Sequence, residues 1–215
     1  MDKYLEHHID LLLERYPSLE QCKQSIIDAY DVLEECFVSG HKLLIAGNGG
    51  SCSDAEHIVG ELMKGFKKPR ECSLEFAKRL KEIDDKKGKE LACKIQGCLP
   101  AIALNNHQAL NTALINDITN GGEMIFAQQV LGYGQLGDVF LGISTSGNSS
   151  NVINAIIVAK AKGMKTIGLT GKTGGRIKEF CDVSIVVPLD ETYMIQELHL
   201  PIYHCLCLML EERFW

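Results

Sequence analysis

Val139-Phe140-Leu141-Gly142-Ile143-Ser144-Thr145-Ser146-Gly147-Asn148-Ser149-Ser150 is the stretch that decides the fold. Its first five residues form an apolar run of strand length, and Asn151-Val152-Ile153-Asn154-Ala155-Ile156-Ile157-Val158-Ala159 behind it reads as a helix. Between them lie Ser144, Thr145, Ser146 and Ser149, with Gly147. Strand, hydroxyl loop and helix start together suit phosphate. The first N–H groups of a helix have no partner inside it, and the helix dipole is positive at that end. Hydroxyls donate further hydrogen bonds. The plainer alternative is an N-cap, for which Ser and Asn are ordinary choices. Four hydroxyls in six residues, directly after a buried strand, favour phosphate.

The same pattern occurs upstream. Lys42-Leu43-Leu44-Ile45-Ala46 is a short apolar strand, Gly47-Asn48-Gly49-Gly50-Ser51 is a loop, and Cys52 to Met63 reads as a helix. The G-x-G-x-x-G spacing of a dinucleotide fold is absent, as is the Gly-Lys-Ser/Thr of a P-loop. Alone the loop would be a tight turn. Two such loops after two parallel strands lie side by side at the carboxyl edge of one sheet, where α/β folds bind ligands. Leu99–Asn105, Lys165–Thr170 and Val183–Pro188 read as further strands. Five apolar runs alternating with helices predict an α/β fold with a parallel sheet covered on both faces.

The flanks read as packing elements. Residues 3 to 38 form two helices broken at Pro17-Ser18, with Ser18 available to cap the second. Residues 73 to 83 form an amphipathic helix, 84 to 89 a polar turn, and a second short helix runs to about Cys93. A solvated surface insertion suits that charged segment better than a lid. His107–Ile115 is a short helix leading to Asn116-Asp117, and Glu123–Leu131 is another. The last helix, about Glu191 to Phe214, contains Pro201, which should kink it or remove one backbone bond. His57 and Glu61, four apart, share a helix face; alone they suggest a surface ion pair, and otherwise half a metal site or an acid/base pair.

The chain has 215 residues and a formal net charge of −6, which gives a nucleic-acid role no electrostatic support. Nine cysteines without metal-type or paired spacing, and a start without a signal peptide, point to reduced thiols in a cytoplasm. No apolar run reaches the ~18 residues that span a bilayer, so no membrane partner is expected.

These residues resemble the sugar isomerase (SIS) domain family, in its phosphoheptose isomerase branch. The resemblance rests on Gly47–Ser51 with Asp54-Ala55, His57 and Glu61; on Asn116-Asp117; and on Gly137–Ser149. It continues through Lys162–Lys165, Leu169–Lys172 and Ile195-Gln196-Glu197 with His199 and His204. It covers nearly the whole chain except about 70 to 96. The hydroxyl string indicates the family, and His57/Glu61 with Gln196/His204 indicates the isomerase branch.

The resemblance implies a three-layer sandwich with a five-stranded parallel sheet in flavodoxin-like order. It implies one SIS domain over 1–215, to which the residues themselves add an N-terminal helical extension over 1–39 and a helical surface insertion over 70–96. A homotetramer with sites at subunit interfaces is implied as well. Ser144, Thr145, Ser146 and Ser149 would hold the sugar phosphate. Asn48, Gly49, Gly50, Ser51, Glu61, Asn116, Asp117 and Gln196 would line the substrate site. Glu61 and His204 would be the catalytic acid/base pair, and His57, Glu61, Gln196 and His204 are the positions through which some members bind zinc.

The implied reaction converts sedoheptulose 7-phosphate to D-glycero-D-manno-heptose 7-phosphate through an enediol(ate). A carboxylate and an imidazole, titrating on either side of neutral, suit its two proton transfers. Two other readings stay open: a non-catalytic family scaffold that binds the replication initiator, and an isomerase of another sugar phosphate. The 70–96 insertion, Tyr193 and Pro201 depart from the branch pattern, which bears on the sugar more than on the reaction.

Overall fold

The structure is a computed structural model that describes residues 3–215. Five parallel strands form the sheet: β1 (Leu43–Gly47), β2 (Ala101–Ala103), β3 (Val139–Ser144), β4 (Lys165–Thr170) and β5 (Val183–Val186), in the order β2-β1-β3-β4-β5. This is the α/β architecture and flavodoxin-like order expected. Side-chain alternation along the strands divides the core. Leu43 and Ile45 of β1 point to one apolar cluster, and Leu44 and Ala46 to the other.

The first face is covered by α1 (Lys3–Arg15), α2 (Lys23–Val38), α3 (Gly50–Met63) and α10 (Thr192–Phe214). The second carries α7 (Ile125–Tyr133), α8 (Ser150–Ala161) and α9 (Ile177–Phe180). The remaining helices are α4 (Leu74–Ile83), α5 (Asp85–Lys94) and α6 (Gln108–Asp117).

Several local readings change. Ser18 caps nothing: it lies inside a 3-10 helix, Pro17–Cys22, and α2 begins at Lys23 without a side-chain cap. The polar turn expected over 84–89 is the first part of α5, because the Asp84 carboxylate accepts the Lys87 N–H at 2.7 Å and starts a helix there. β2 is only three residues long, being an edge strand that pairs with Leu43–Ile45 alone. Pro201 keeps to the second expected outcome, the loss of one backbone bond, within an α10 that runs for 23 residues. The proline has no N–H to give the Glu197 carbonyl one turn back.

α4 and α5 pack on each other and bury only Gly88 between them. Their flanks meet in an antiparallel bridge between Glu71 and Gln96. Among the described residues no helix is long and apolar enough to cross a membrane.

Candidate functional site

Gly47 stands opposite Ile143 in the β1–β3 register, so both Gly/Ser loops leave the sheet at the same edge. Asn48 and Asn151 tie them together, each amide donating to the other's carbonyl at 2.9 Å. The α3 N-terminus carries Gly49 at its cap position with φ +58°, a conformation that suits glycine, and no side chain caps it. Ser51 is buried, and its N–H donates to the Asn48 carbonyl at 3.1 Å.

The hydroxyl loop does not behave as an N-cap. Ser149 occupies the cap position of α8, yet its Oγ makes no cap bond and lies 2.9 Å from Ser144 Oγ. The first N–H groups of α8 are left to the loop's mouth. Ser146 Oγ accepts the Asn148 N–H at 3.2 Å, shaping the loop from within. Thr145 is half-buried beside it.

A third loop, after β4, buttresses this one, a role that sequence reasoning missed. Gly171 N donates to the Thr145 carbonyl at 3.1 Å and Ile177 N to the Gly147 carbonyl at 3.0 Å. Gly147, at φ +65°, lies so close to the Gly174 backbone that a Cβ there would collide. The run of glycines at 171, 174 and 175 directly after a strand is the available signal.

α10 lies along α3 in the same direction. Gln196 meets Gly50, Tyr203 meets Asp54 and His57, and the Glu211 carboxylate accepts the N–H groups of Phe66, Lys67 and Lys68 after α3. This brings His57, Glu61 and His204 together. His57 Nε2 is 3.2 Å from Glu61 Oε1 and 3.4 Å from His204 Nε2. The Glu61 side chain is 12% exposed, and Lys64 Nζ lies 3.4 Å from its other oxygen. Phe66 packs on the His204 ring at 5.4 Å. Burial lowers the His204 pKa and the neighbouring His57 lowers it further, while Glu61 opposes them. The result favours a neutral imidazole, able to accept a proton.

Arg70, fully buried, holds this corner. It donates from Nε to Glu211 at 2.9 Å and through its two terminal nitrogens to the carbonyls of Leu62 and Glu61, at 2.8 and 3.0 Å. His199, also buried, faces the Thr170 carbonyl with Nε2 at 3.3 Å and leaves Nδ1 without a partner. Burial pushes its pKa down to about 4.

Not every expected residue joins the group. The Gln196 amide packs over Gly50, where a Cβ would stand 2.7 Å from its Nε2. Eight residues along α10 separate Gln196 from His204, roughly 12 Å of helix. Asn116 and Asp117 end α6 on the surface and hydrogen-bond each other at 2.8 Å. Glu61 lies eleven residues beyond Gly50, roughly 16 Å along α3. Within one chain, therefore, the Glu61–His204 group stands well along α3 from the Gly/Ser loop at its start.

For a metal, two imidazole nitrogens and a carboxylate oxygen are the donor types that zinc takes. The two spacings at His57 match the roughly 3.4 Å that separates ligands around a tetrahedral ion with arms of about 2.0–2.1 Å. Among the described residues, however, no three His, Cys, Asp or Glu side chains surround a common metal position.

Comparison with known proteins agrees with this architecture. A family model described as the SIS domain matches residues 90–171. The phosphoheptose isomerase of a Nitratiruptor species is 42% identical over 214 residues, covering 98% of this chain and all of that protein. That of Aneurinibacillus thermoaerophilus is 37% identical over 218 residues, covering 100% and 96%. Among solved structures, phosphoheptose isomerase GmhA from Neisseria gonorrhoeae aligns with a TM-score of 0.72 at 29% identity, over 96% of this chain and 98% of that one. The Francisella tularensis phosphoheptose isomerase aligns at 0.71 and 31%, over 94% and 97%. Similarity of this extent, joined to the sheet order and the two loops, means that the chain belongs to the phosphoheptose isomerase family of SIS domain proteins.

Proposed function

We propose that the protein interconverts sedoheptulose 7-phosphate and D-glycero-D-manno-heptose 7-phosphate. The observation that carries this reading is the convergence of Glu61 and His204 on His57, in a chain whose α8 N-terminus is left uncapped beside paired hydroxyls. The Ser144, Thr145, Ser146 and Ser149 hydroxyls, with the first N–H groups of α8, hold the phosphate. Asn48, Gly49, Gly50, Ser51, Asn116, Asp117 and Gln196 bind the sugar. His204, kept neutral by its surroundings, takes the carbon-bound proton, and Glu61 moves protons between the C1 and C2 oxygens.

Zinc at His57, Glu61 and His204 would need these side chains to turn toward a common position, and Gln196 would join them only by swinging away from Gly50. When bound, the ion would polarise the substrate carbonyl and stabilise the developing negative oxygen. The length of α3 between its Gly/Ser loop and Glu61 supports a homotetramer in which copies complete one another's sites. From C1 to phosphorus an extended heptose 7-phosphate spans roughly 10 Å by ordinary bond lengths, short of the ~16 Å between Gly50 and Glu61 along α3. Nine unpaired cysteines support a cytoplasmic location.

The test is an isomerisation assay on sedoheptulose 7-phosphate, with and without added zinc. Formation of the aldose phosphate is expected, and its absence under both conditions would overturn the heptose reading.

A further inference from the structure

Three rings pack around His204: His57 at 5.0 Å, Tyr203 at 5.1 Å and Phe66 at 5.4 Å between centroids. The first two stand on helices, and Phe66 does not. It belongs to the segment between α3 and α4, where residues 64–69 form neither helix nor strand. An aromatic side chain on irregular backbone keeps its place only if that backbone is pinned.

The pin is one carboxylate. Glu211, 2% exposed, accepts the Phe66 N–H and Arg70 Nε on Oε1, at 2.8 and 2.9 Å. Its Oε2 accepts the Lys67 and Lys68 N–H groups, at 2.8 and 3.1 Å. These donors use both oxygens of an ionised carboxylate, whereas an amide offers one acceptor oxygen. Glu211 lies seven residues beyond His204, two turns and roughly 10 Å along the same face of α10. One helix face therefore carries both the imidazole and the anchor of the ring packed on it. Arg70 extends the tie to α3. Its terminal nitrogens donate to the Leu62 and Glu61 carbonyls, and the Trp215 ring covers its guanidinium at 4.5 Å.

We propose that Glu211 is a positioning residue: it holds Phe66 against the His204 ring and, through Arg70, the Glu61 end of α3 against α10. The assignment rests on reading Glu61 and His204 as the reactive pair. It adds a function for a carboxylate that touches neither substrate nor the reacting atoms, and it needs no bound ion.

Two variants and their combination test this. Phe66→Leu keeps the apolar bulk and removes the ring. Glu211→Gln keeps the ring and takes away one acceptor oxygen. Each is expected to lower kcat on sedoheptulose 7-phosphate about 10–100-fold, as a misplacement near 1 Å does, with little change in KM. Phe66→Tyr, which keeps the ring, is expected to restore most of the rate. Because Glu211 acts through Phe66, the double variant is expected to lose no more than Glu211→Gln alone, and losses that multiply overturn the proposal. Proton NMR of the metal-free protein reads the same placement without substrate. At alkaline pH, where imidazoles are neutral, the carbon-bound ring protons of His204 are assigned by their loss in His204→Gln. Phe66→Leu calibrates their displacement by the Phe66 ring current. Glu211→Gln retains Phe66 and is expected to abolish most of that displacement; lines unchanged from wild type overturn the proposal. Glu211→Asp, which keeps the charge for Arg70 but draws it back by one methylene, decides the matter if Glu211→Gln does not fold. Wild type inactive on sedoheptulose 7-phosphate, with the displacement present and lost in Glu211→Gln, sinks the substrate reading alone.

Discussion

His204 and Glu61 sit in different surroundings. Burial and a neighbouring imidazole hold His204 neutral, while Glu61 lies under a lysine ammonium. Glu61→Gln keeps the shape and removes the proton acceptor, so kcat is expected to fall by about 10²–10⁴-fold. Steady-state kinetics on sedoheptulose 7-phosphate check this, and unchanged turnover would remove Glu61 from the proton path. Ser149→Ala removes one hydroxyl from the loop proposed to bind the phosphate. A hydrogen bond to a charged group is worth about 1.5–3 kcal/mol, so KM is expected to rise roughly 10- to 100-fold. His199 gives a prediction on stability. Its pKa, about 4 when folded, lies below the ordinary 6.5. Between those values the unfolded chain binds the extra proton, so stability is lost as pH falls from 6.5 towards 4. The full loss is about 3 kcal/mol. Denaturant melts of wild type against His199→Phe are expected to differ in their pH dependence across that window.

At the scale of elements, the loops are legible because their chemistry is local: glycines and hydroxyls directly follow apolar runs, and both loops emerge at one sheet edge. What the sequence hides lies in pairings between distant helices. Arg70 sits in a run with Lys64, Lys67 and Lys68, and nothing in the string singles it out. It alone of the four is fully buried, because Glu211, some 140 residues on, reaches back to it. Tyr203 reads as one more apolar residue of α10, and only the fold sets Asp54 and His57 against its hydroxyl. The short β2 and the helical start at Asp84 escape the sequence because edge position and capping depend on what each segment meets. Arg70→Met would leave Glu211 buried without its partner, and is expected to cost about 3–5 kcal/mol in denaturant melts. Replacing residues 72–95 by a short Gly/Ser linker is expected to change the melting temperature little. The α4–α5 pair buries only Gly88, and Glu71 and Gln96 already meet.

For the whole molecule, the length of α3 between its Gly/Ser loop and Glu61 governs the proposed assembly. If copies complete one another, subunits with different lesions can restore a site between them. Glu61→Gln protein and a Ser144→Ala/Ser149→Ala double variant, unfolded and refolded together, are expected to recover activity that neither shows alone. Mixed refolding that yields no more than the sum of the two would mean that each chain works by itself. A tetramer is expected in sedimentation at assay concentrations.

The reciprocal Asn48–Asn151 amide pair bears on timing. Two loops stapled before any sugar arrives have no ordering left to do when it comes, so substrate capture becomes a one-step encounter. Stopped-flow traces of binding should then be single-exponential, with an observed rate that rises linearly with ligand concentration and does not level off. Asn48→Ala would release one loop from the other, and the plateau of a preceding rearrangement should appear.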